Sequence, residues 1–220
     1  MKHVLTAAVL ATLASSPSVM AGTNGFYVPT FREEAGSRSA YWESFTVAVG
    51  TPGNQANFGN DATSVLTQSD PGAIVVGSGN LYNMPNASEF TISYSAGGPV
   101  GNVVLQVRTS GTELDYGSVA LNYGAGILTA TRTELDRVSF GTPGVPGPQG
   151  FNVSSAWQWD LSALGVSSYS IRFKAAEPSL SLDAVTLDTQ VVPEPETWAL
   201  AALGAGALMV SGWRRSRSSR

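Results

Sequence analysis

Apolar and polar residues alternate along several short segments of this chain. Between residues 103 and 109, Val103, Leu105 and Val107 fall on one face of an extended segment, while Gln106 and Arg108 fall on the other. Successive side chains of a β-strand point to opposite faces, so this period of two predicts a strand with one buried and one solvated face. Similar patterns predict strands at residues 44–49, 90–94, 103–109, 153–161, 169–175 and 180–187.

Turn residues separate the predicted strands. Glycine and proline clusters at residues 50–53, 70–72 and 97–99 mark turns, and the stretch at 141–150 predicts a surface loop between two strands. No amphipathic helix of useful length is predicted between residues 22 and 192. Many short strands joined by such turns predict an all-β fold, an antiparallel two-sheet sandwich of jelly-roll-like type. Residues 22–40 have little periodicity and predict a loosely held arm or an edge strand.

The last predicted strand changes its phase in the middle. Leu180 and Leu182 occupy even positions, whereas Val185 and Leu187 occupy odd ones. One additional residue near 183–184 accounts for the change, because a β-bulge shifts the side-chain alternation by one position. The sequence therefore predicts a bulge at this point.

Both ends of the chain differ from the strand-rich middle. Lys2 and His3 precede an apolar run at residues 4–13, and small residues ending at Ala21 follow it. This order is typical of a secretory signal peptide cleaved after Ala21, with a retained N-terminal helix as the alternative. The predicted organisation is a signal peptide at 1–21, a β-sandwich domain at 22–192 and a tail at 193–220.

The tail contains an uncharged segment followed by a basic end. Residues 198–213 carry no charge and begin and end with Trp198 and Trp213. As a helix these 16 residues cover about 24 Å, so they predict a single transmembrane helix with both tryptophans in the interfaces. Arginines in the last seven residues would hold the C-terminus on the cytoplasmic side. They are Arg214, Arg215, Arg217 and Arg220.

The tail resembles a known sorting signal. Pro193-Glu194-Pro195, the small-residue-rich apolar segment and the terminal arginines together resemble the PEP-CTERM signal of bacterial surface proteins. The resemblance implies recognition by a membrane-embedded exosortase and cleavage near the Pro-Glu-Pro motif. It also implies passage from the inner membrane to the cell surface or an exopolysaccharide-containing extracellular matrix. The alternative is a permanent single-pass anchor that leaves the domain attached to the membrane.

Composition excludes several kinds of chemistry for the predicted domain. The chain has no cysteine, and its single histidine, His3, lies in the predicted signal peptide. Ser-His-Asp and Cys-His catalysis, and zinc sites built on thiolate or imidazole, are therefore excluded from residues 22–192. These residues carry 14 acidic and 7 basic side chains, a formal charge of −7. Nucleic acid is not expected to bind so acidic a domain.

The predicted bulge also suggests a metal site by resemblance. The Leu-Asp-Ala-Val-Thr-Leu pattern around Asp183 is similar to the final strand of jelly-roll carbohydrate-binding modules. In those modules the aspartate helps to hold a structural calcium ion together with an early acidic residue. The resemblance implies calcium at Asp183 with Glu43 as its partner, and a solvated aspartate beside a bulge is the alternative.

Aromatic residues could bind sugars, because their rings form flat apolar platforms for pyranose faces. Tyr82, Tyr116 and Tyr123 lie beside glycine or asparagine and are candidate platforms. Trp157 and Trp159 share an apolar strand face and are predicted to belong to the core. Residues 111–116 place two carboxylates, Glu113 and Asp115, beside Tyr116, and the segment is predicted to form a solvated loop.

These observations predict an exported bacterial surface or matrix protein, with glycan binding as the hypothesis for its role. No catalytic residue is assigned, because the carboxylates form no recognisable motif and the expected role is not enzymatic. The alternative is a secreted glycosidase or lyase, which would need only paired carboxylates or a tyrosine with an arginine.

Overall fold

The protein forms two antiparallel β-sheets. The computed structural model describes residues 25–95, 97–141 and 149–192. This part of the chain contains fourteen strands, a 3-10 turn at Thr30–Glu33 and no α-helix. The strands are β1 (Arg38–Trp42), β2 (Asn54–Gln55), β3 (Phe58–Gly59), β4 (Val65–Gln68), β5 (Ile74–Val75), β6 (Leu81–Asn83), β7 (Glu89–Ser95), β8 (Val100–Gly111), β9 (Leu114–Asn122), β10 (Ile127–Thr129), β11 (Thr133–Phe140), β12 (Gly150–Asp160), β13 (Ser168–Ala175) and β14 (Leu180–Val191).

The long strands β8 and β14 form the centre of the first sheet. Its order is β11-β12-β8-β14-β1-β3, and a short β5–β6 hairpin attaches through β6 to the start of β14. The second sheet has the order β10-β9-β13-β7-β4-β2. Only the first half of β14 pairs with β6, because its second half pairs with β1.

One hydrophobic core lies between the two sheets. Leu105 and Trp157 from the first sheet and Ile92 from the second are almost completely buried in it. The rings of Phe90 and Phe173 stack in the core, with centroids 5.1 Å apart. The predicted all-β, two-sheet arrangement is confirmed, and the finer jelly-roll-like assignment stays a prediction.

Five of the six predicted strands are confirmed. They correspond to β7, β8, β12, β13 and β14. Trp157 and Trp159 are 1% and 3% exposed, so their predicted place in the core is confirmed. The predicted bulge is confirmed as well, because the pairing of β14 with β8 shifts between Leu182 and Ala184.

The predicted strand at residues 44–49 is wrong. Asparagine side chains take the backbone hydrogen bonds that a neighbouring strand would otherwise make. The Oδ1 of Asn54 accepts hydrogen bonds from the amides of Thr46 and Val47, at 2.8 and 2.9 Å. The Nδ2 of Asn54 donates to the carbonyl of Val47 at 2.8 Å. A local side-chain partner of this kind satisfies the backbone outside a sheet.

The outer face of the first sheet is covered rather than solvated. Gln106, predicted to face water, is completely buried, and Val104 beside it is 1% exposed. Residues 25–34 lie across this face of β8 and β14 and exclude water from it. The predicted loose arm is therefore a firmly attached covering segment, and the residues that follow it form β1, which lies between β14 and β3.

Several sequence-based predictions fall outside the described residues. The signal peptide at 1–21, with its cleavage at Ala21, is one of them, and the tail from residue 193 onward is another. The latter contains Pro193, Glu194, Pro195, Arg214, Arg215 and Arg217. Among the residues that the structure does describe, no helix is long and apolar enough to cross a membrane.

Candidate functional site

The covering segment is held to the first sheet by polar contacts at several points. The amide of Tyr27 donates to Oε1 of Gln106 at 2.9 Å, and Nε2 of Gln106 donates back to the carbonyl of Tyr27 at 2.9 Å. Arg32 donates from Nε and Nη2 to the two carboxylate oxygens of Asp188, at 2.5 and 2.7 Å. These contacts tie the segment to β8 and β14 in turn.

Asp188 is a buried carboxylate with a single basic partner in the described structure. Its side chain is completely buried, while that of Arg32 keeps 27% of its surface exposed. Burial raises the pKa of Asp188, and the hydrogen bond and positive charge of Arg32 act in the opposite direction. Burial also raises the pKa of the Tyr27 hydroxyl, and the nearby charge of Asp188 adds to the increase. A buried carboxylate without a counter-charge destabilises the folded state. The stability of the domain therefore depends on Arg32.

An aromatic groove lies between the covering segment and strands β1 and β3. Its volume is about 240 Å³. The rings of Phe26 and Tyr41 meet edge to face at 6.3 Å, and Tyr41 and Phe58 are 6.1 Å apart. Phe58 is 58% exposed, so its ring is open to a ligand. We call this feature, defined by Phe26, Tyr41 and Phe58, the aromatic groove.

Polar groups line the same groove. Ser39 and Thr186 contribute hydroxyl groups, and Arg32 forms part of the wall. Because the guanidinium of Arg32 is already engaged by Asp188, the groove combines apolar rings with mainly neutral hydrogen-bonding groups. Rings with a few polar groups around them are the usual lining of small-ligand sites.

A second groove, of about 320 Å³, lies on the other side of the covering segment. Val104 and Leu135 line it together with Phe31. Phe31 is buried, so this groove presents apolar edges rather than an open ring. It is less suited to stacking against a sugar.

Tyr116, one of the three candidate platforms, has protein partners at both its hydroxyl group and its ring. Its hydroxyl donates to Oε2 of Glu113 at 2.5 Å, and the guanidinium carbon of Arg132 lies 3.7 Å from the centre of its ring. Its other neighbour is Trp157, with ring centroids 6.3 Å apart. Burial, with the hydrogen bond to Glu113, raises the pKa of Tyr116 to about 12. Its hydroxyl group and one region of its ring are therefore already engaged within the domain.

The other two candidate tyrosines lie far from Tyr116 in the fold. Tyr82 belongs to β6, opposite Ser181 and Ile74, and is half-buried. Tyr123 follows β9 in the turn to β10, where its hydroxyl lies against Gly126. The structure therefore does not bring the three predicted tyrosines into one site, and their role in ligand binding stays a prediction.

The carboxylate of Asp183 has protein partners at the bulge. Asn80 donates to its Oδ1 at 2.6 Å, and Ser181 donates to the same oxygen at 3.0 Å. Burial raises the pKa of Asp183, and the bond from Ser181 opposes the increase. Glu43 lies one residue beyond the last pair between β1 and β14, Trp42 with Val185. The strand pairing thus brings Glu43 and Asp183 into the same region.

No group of three or more acidic, histidine or cysteine residues that could hold a metal ion is found in the described ranges. Calcium at Glu43 and Asp183 would have to draw its remaining ligands from amide, hydroxyl or carbonyl oxygens. The calcium site stays a prediction.

Sequence analysis missed a network of charged residues beside Tyr116. Arg137 binds the carboxylate of Glu113 through both terminal nitrogens, one at 2.8 Å, and lies over the ring of Phe151 at 3.9 Å. This pairing lowers the pKa of Glu113. The predicted solvated loop at 111–116 is wrong, because β8 ends at Gly111 and β9 already begins at Leu114.

The aromatic groove was also missed by sequence analysis. Phe26 comes from the covering segment, Tyr41 from β1 and Phe58 from β3, and none follows a shared local pattern. The available signal was an aromatic residue on the non-core face of a strand, here Tyr41 opposite Phe58.

The described residues form an all-β domain, and its last strand, β14, leads directly into the C-terminal tail. Comparison with protein families shows that residues 191–217 match the PEP-CTERM protein-sorting motif. The resemblance inferred from the tail is confirmed. None of the curated proteins compared with this chain matches it. The motif supports an exported surface protein that is sorted by an exosortase.

Proposed function

We propose that this protein is delivered by an exosortase to the cell surface or its surrounding matrix, where the domain binds a polysaccharide through the aromatic groove. The exposed ring of Phe58, next to Tyr41 and Phe26, is the observation that carries the glycan part of the proposal. Stacking of apolar sugar faces on such rings, with hydroxyl groups nearby, explains why aromatic side chains would remain open to solvent on an outer sheet face.

The charge of the domain favours a neutral glycan. Residues 22–192 carry an excess of seven acidic side chains, which would repel a polyanion. The cation nearest to the groove, Arg32, is occupied by the buried Asp188. The expected ligand is therefore a neutral polysaccharide, or an acidic one bridged by divalent cations.

Affinity electrophoresis tests the glycan proposal. The Phe58→Ala variant should lose the retardation that wild-type protein shows in a gel containing exopolysaccharide from the host. Phe151→Ala is the matched control, because it also removes a partly exposed ring but lies at β12, away from the groove. Equal retardation of Phe58→Ala and wild type would contradict the proposed site. Release of soluble sugars during the same incubation would instead support the enzyme alternative.

A further inference from the structure

The tail leaves the domain from its central strand. β14 pairs with β8 as far as Val191, which lies opposite Val100. The amide of Val192 then donates to the carbonyl of Pro99 at 2.7 Å. The chain is therefore held by the first sheet up to the residue before the Pro-Glu-Pro motif.

Only five residues, 193–197, separate Val192 from Trp198, the first residue of the uncharged segment. Fully extended, the six Cα–Cα steps from Val192 to Trp198 span at most about 22 Å. A domain of this size has a radius of gyration of roughly 15 Å, and its half-width is somewhat larger. The connection is thus about as long as the half-width of the domain, so Val192 and the surface around it must stay near the membrane in the uncleaved precursor.

The surface around Val192 can be identified from the strand ends. The amide of Val100 donates to the carbonyl of Val166 at 2.7 Å, which attaches the loop at 161–167 to the same end of the sandwich. The β9–β10 turn lies there too, because Asn122 pairs with Ser170 near the start of β13. We call this surface, formed by residues 97–99, 123–127, 161–167 and Val192, the exit end.

The exit end carries exposed aliphatic side chains. Ile127 is 68% exposed, Leu164 43% and Val192 38%. Its rim includes the exposed acidic residues Glu34 and Asp160 together with the exposed Arg38, which lies opposite Thr189. Contact with a membrane would therefore depend on apolar side chains rather than on attraction to anionic headgroups.

We propose that the exit end lies against the lipid headgroups in the precursor, with Leu164 and Ile127 in shallow contact with the bilayer surface. The inference rests on the proposed sorting function, since it requires a membrane-inserted tail. The sorting enzyme would then meet its motif directly beside the folded domain, and cleavage would release this end from the membrane.

Fluorescence quenching in the full-length chain tests the proposal. The chain has no cysteine, so Leu164→Cys provides a unique labelling position. Met84→Cys is the matched control, because Met84 is 66% exposed and follows β6 at the opposite end of the sandwich. The labelled proteins are reconstituted into vesicles of phosphatidylethanolamine and phosphatidylglycerol that contain a lipid with a nitroxide on its headgroup.

We expect the label at position 164 to lose fluorescence to the nitroxide and the label at position 84 to keep it. Equal quenching at both positions would overturn the proposal. A flexible Gly-Ser linker inserted between Val192 and Pro193, longer than the domain is wide, should reduce quenching at position 164. Unchanged quenching with the linker would contradict the argument from the short connection. Cleavage of the unlabelled chain in its host is measured separately by intact mass. The sorting proposal is therefore tested independently of the proposed contact between the exit end and the membrane.

Discussion

Arg32 and Asp188 form a two-point ion pair that fixes the covering segment to the outer face of β14. Nε of Arg32 lies 2.5 Å from one carboxylate oxygen of Asp188, and Nη2 lies 2.7 Å from the other. The two residues are 156 positions apart in the sequence, so this contact joins the beginning of the domain to its last strand. It also positions the segment that contributes Phe26 to the aromatic groove.

The Arg32→Met variant is expected to be strongly destabilised. Removing one partner of a buried ion pair leaves the other charge without compensation, which typically costs about 3–5 kcal/mol. Urea unfolding measures the difference. Arg172→Met is the control, because Arg172 is exposed on β13 and its loss should change the free energy of unfolding by no more than about 0.5 kcal/mol. Similar values for the two variants would show that the ion pair is not needed.

The loss in free energy of unfolding caused by Arg32→Met should depend on pH. The pKa of Asp188 in the folded state lies above its ordinary value of 3.8. Asp188 therefore contributes most to the stability of the folded state at a pH below 3.8, and this contribution is lost as the pH rises through the folded-state pKa. Without Arg32 this pKa rises further. The stability difference between variant and wild type should therefore be largest near neutral pH and shrink on acidification. A difference that stays constant across a pH series of unfolding curves would contradict this assignment.

Tyr116 is expected to contribute to stability through its hydroxyl group. Tyr116→Phe removes the hydrogen bond to Glu113 while keeping the ring beneath Arg132, and should cost about 0.5–1.5 kcal/mol. Tyr123→Phe, in the β9–β10 turn, is the matched control. Alkaline titration of tyrosine absorbance gives a second measurement. Burial raises the pKa of both Tyr94 and Tyr116 to about 12, so the component that titrates there should be smaller by one tyrosine in Tyr116→Phe. Equal stabilities and identical titrations for the two variants would contradict the assignment.

The calcium hypothesis makes a clear prediction at the bulge. If Asp183 binds calcium, the ion should raise the melting temperature, and Asp183→Asn should abolish the increase. Asn80 and Ser181 both donate to Oδ1 of this carboxylate, so calcium would bind mainly through Oδ2. The same melting temperature with calcium and with a chelator would contradict the site. Thermal melts of wild type and Asp183→Asn decide between the two outcomes.

Local alternation in the sequence was sufficient to predict the inner face of the sandwich. The core residues of β8 and the bulge in β14 follow from a period of two and its interruption, which are properties of neighbouring residues. The same alternation wrongly predicted that Gln106 faces water, whereas its side chain is buried. Its burial depends on Tyr27, 79 positions away, and no local pattern reports such a contact.

The strand wrongly predicted at residues 44–49 has a similar explanation. Its apolar alternation is real, but Asn54 supplies the hydrogen bonds that a neighbouring strand would have made. The aromatic groove lay beyond prediction because its rings come from three separate segments. The sorting motif of the tail was predictable because its signal lies within one continuous stretch, residues 191–217.

Intact mass of the protein in its own host, with the exosortase gene present and deleted, tests the central claim most directly. We expect a mature species that ends near Pro193 and reaches the surface or matrix only when the enzyme is present. A species that keeps its C-terminal tail and remains in the inner membrane in both strains would contradict the sorting account.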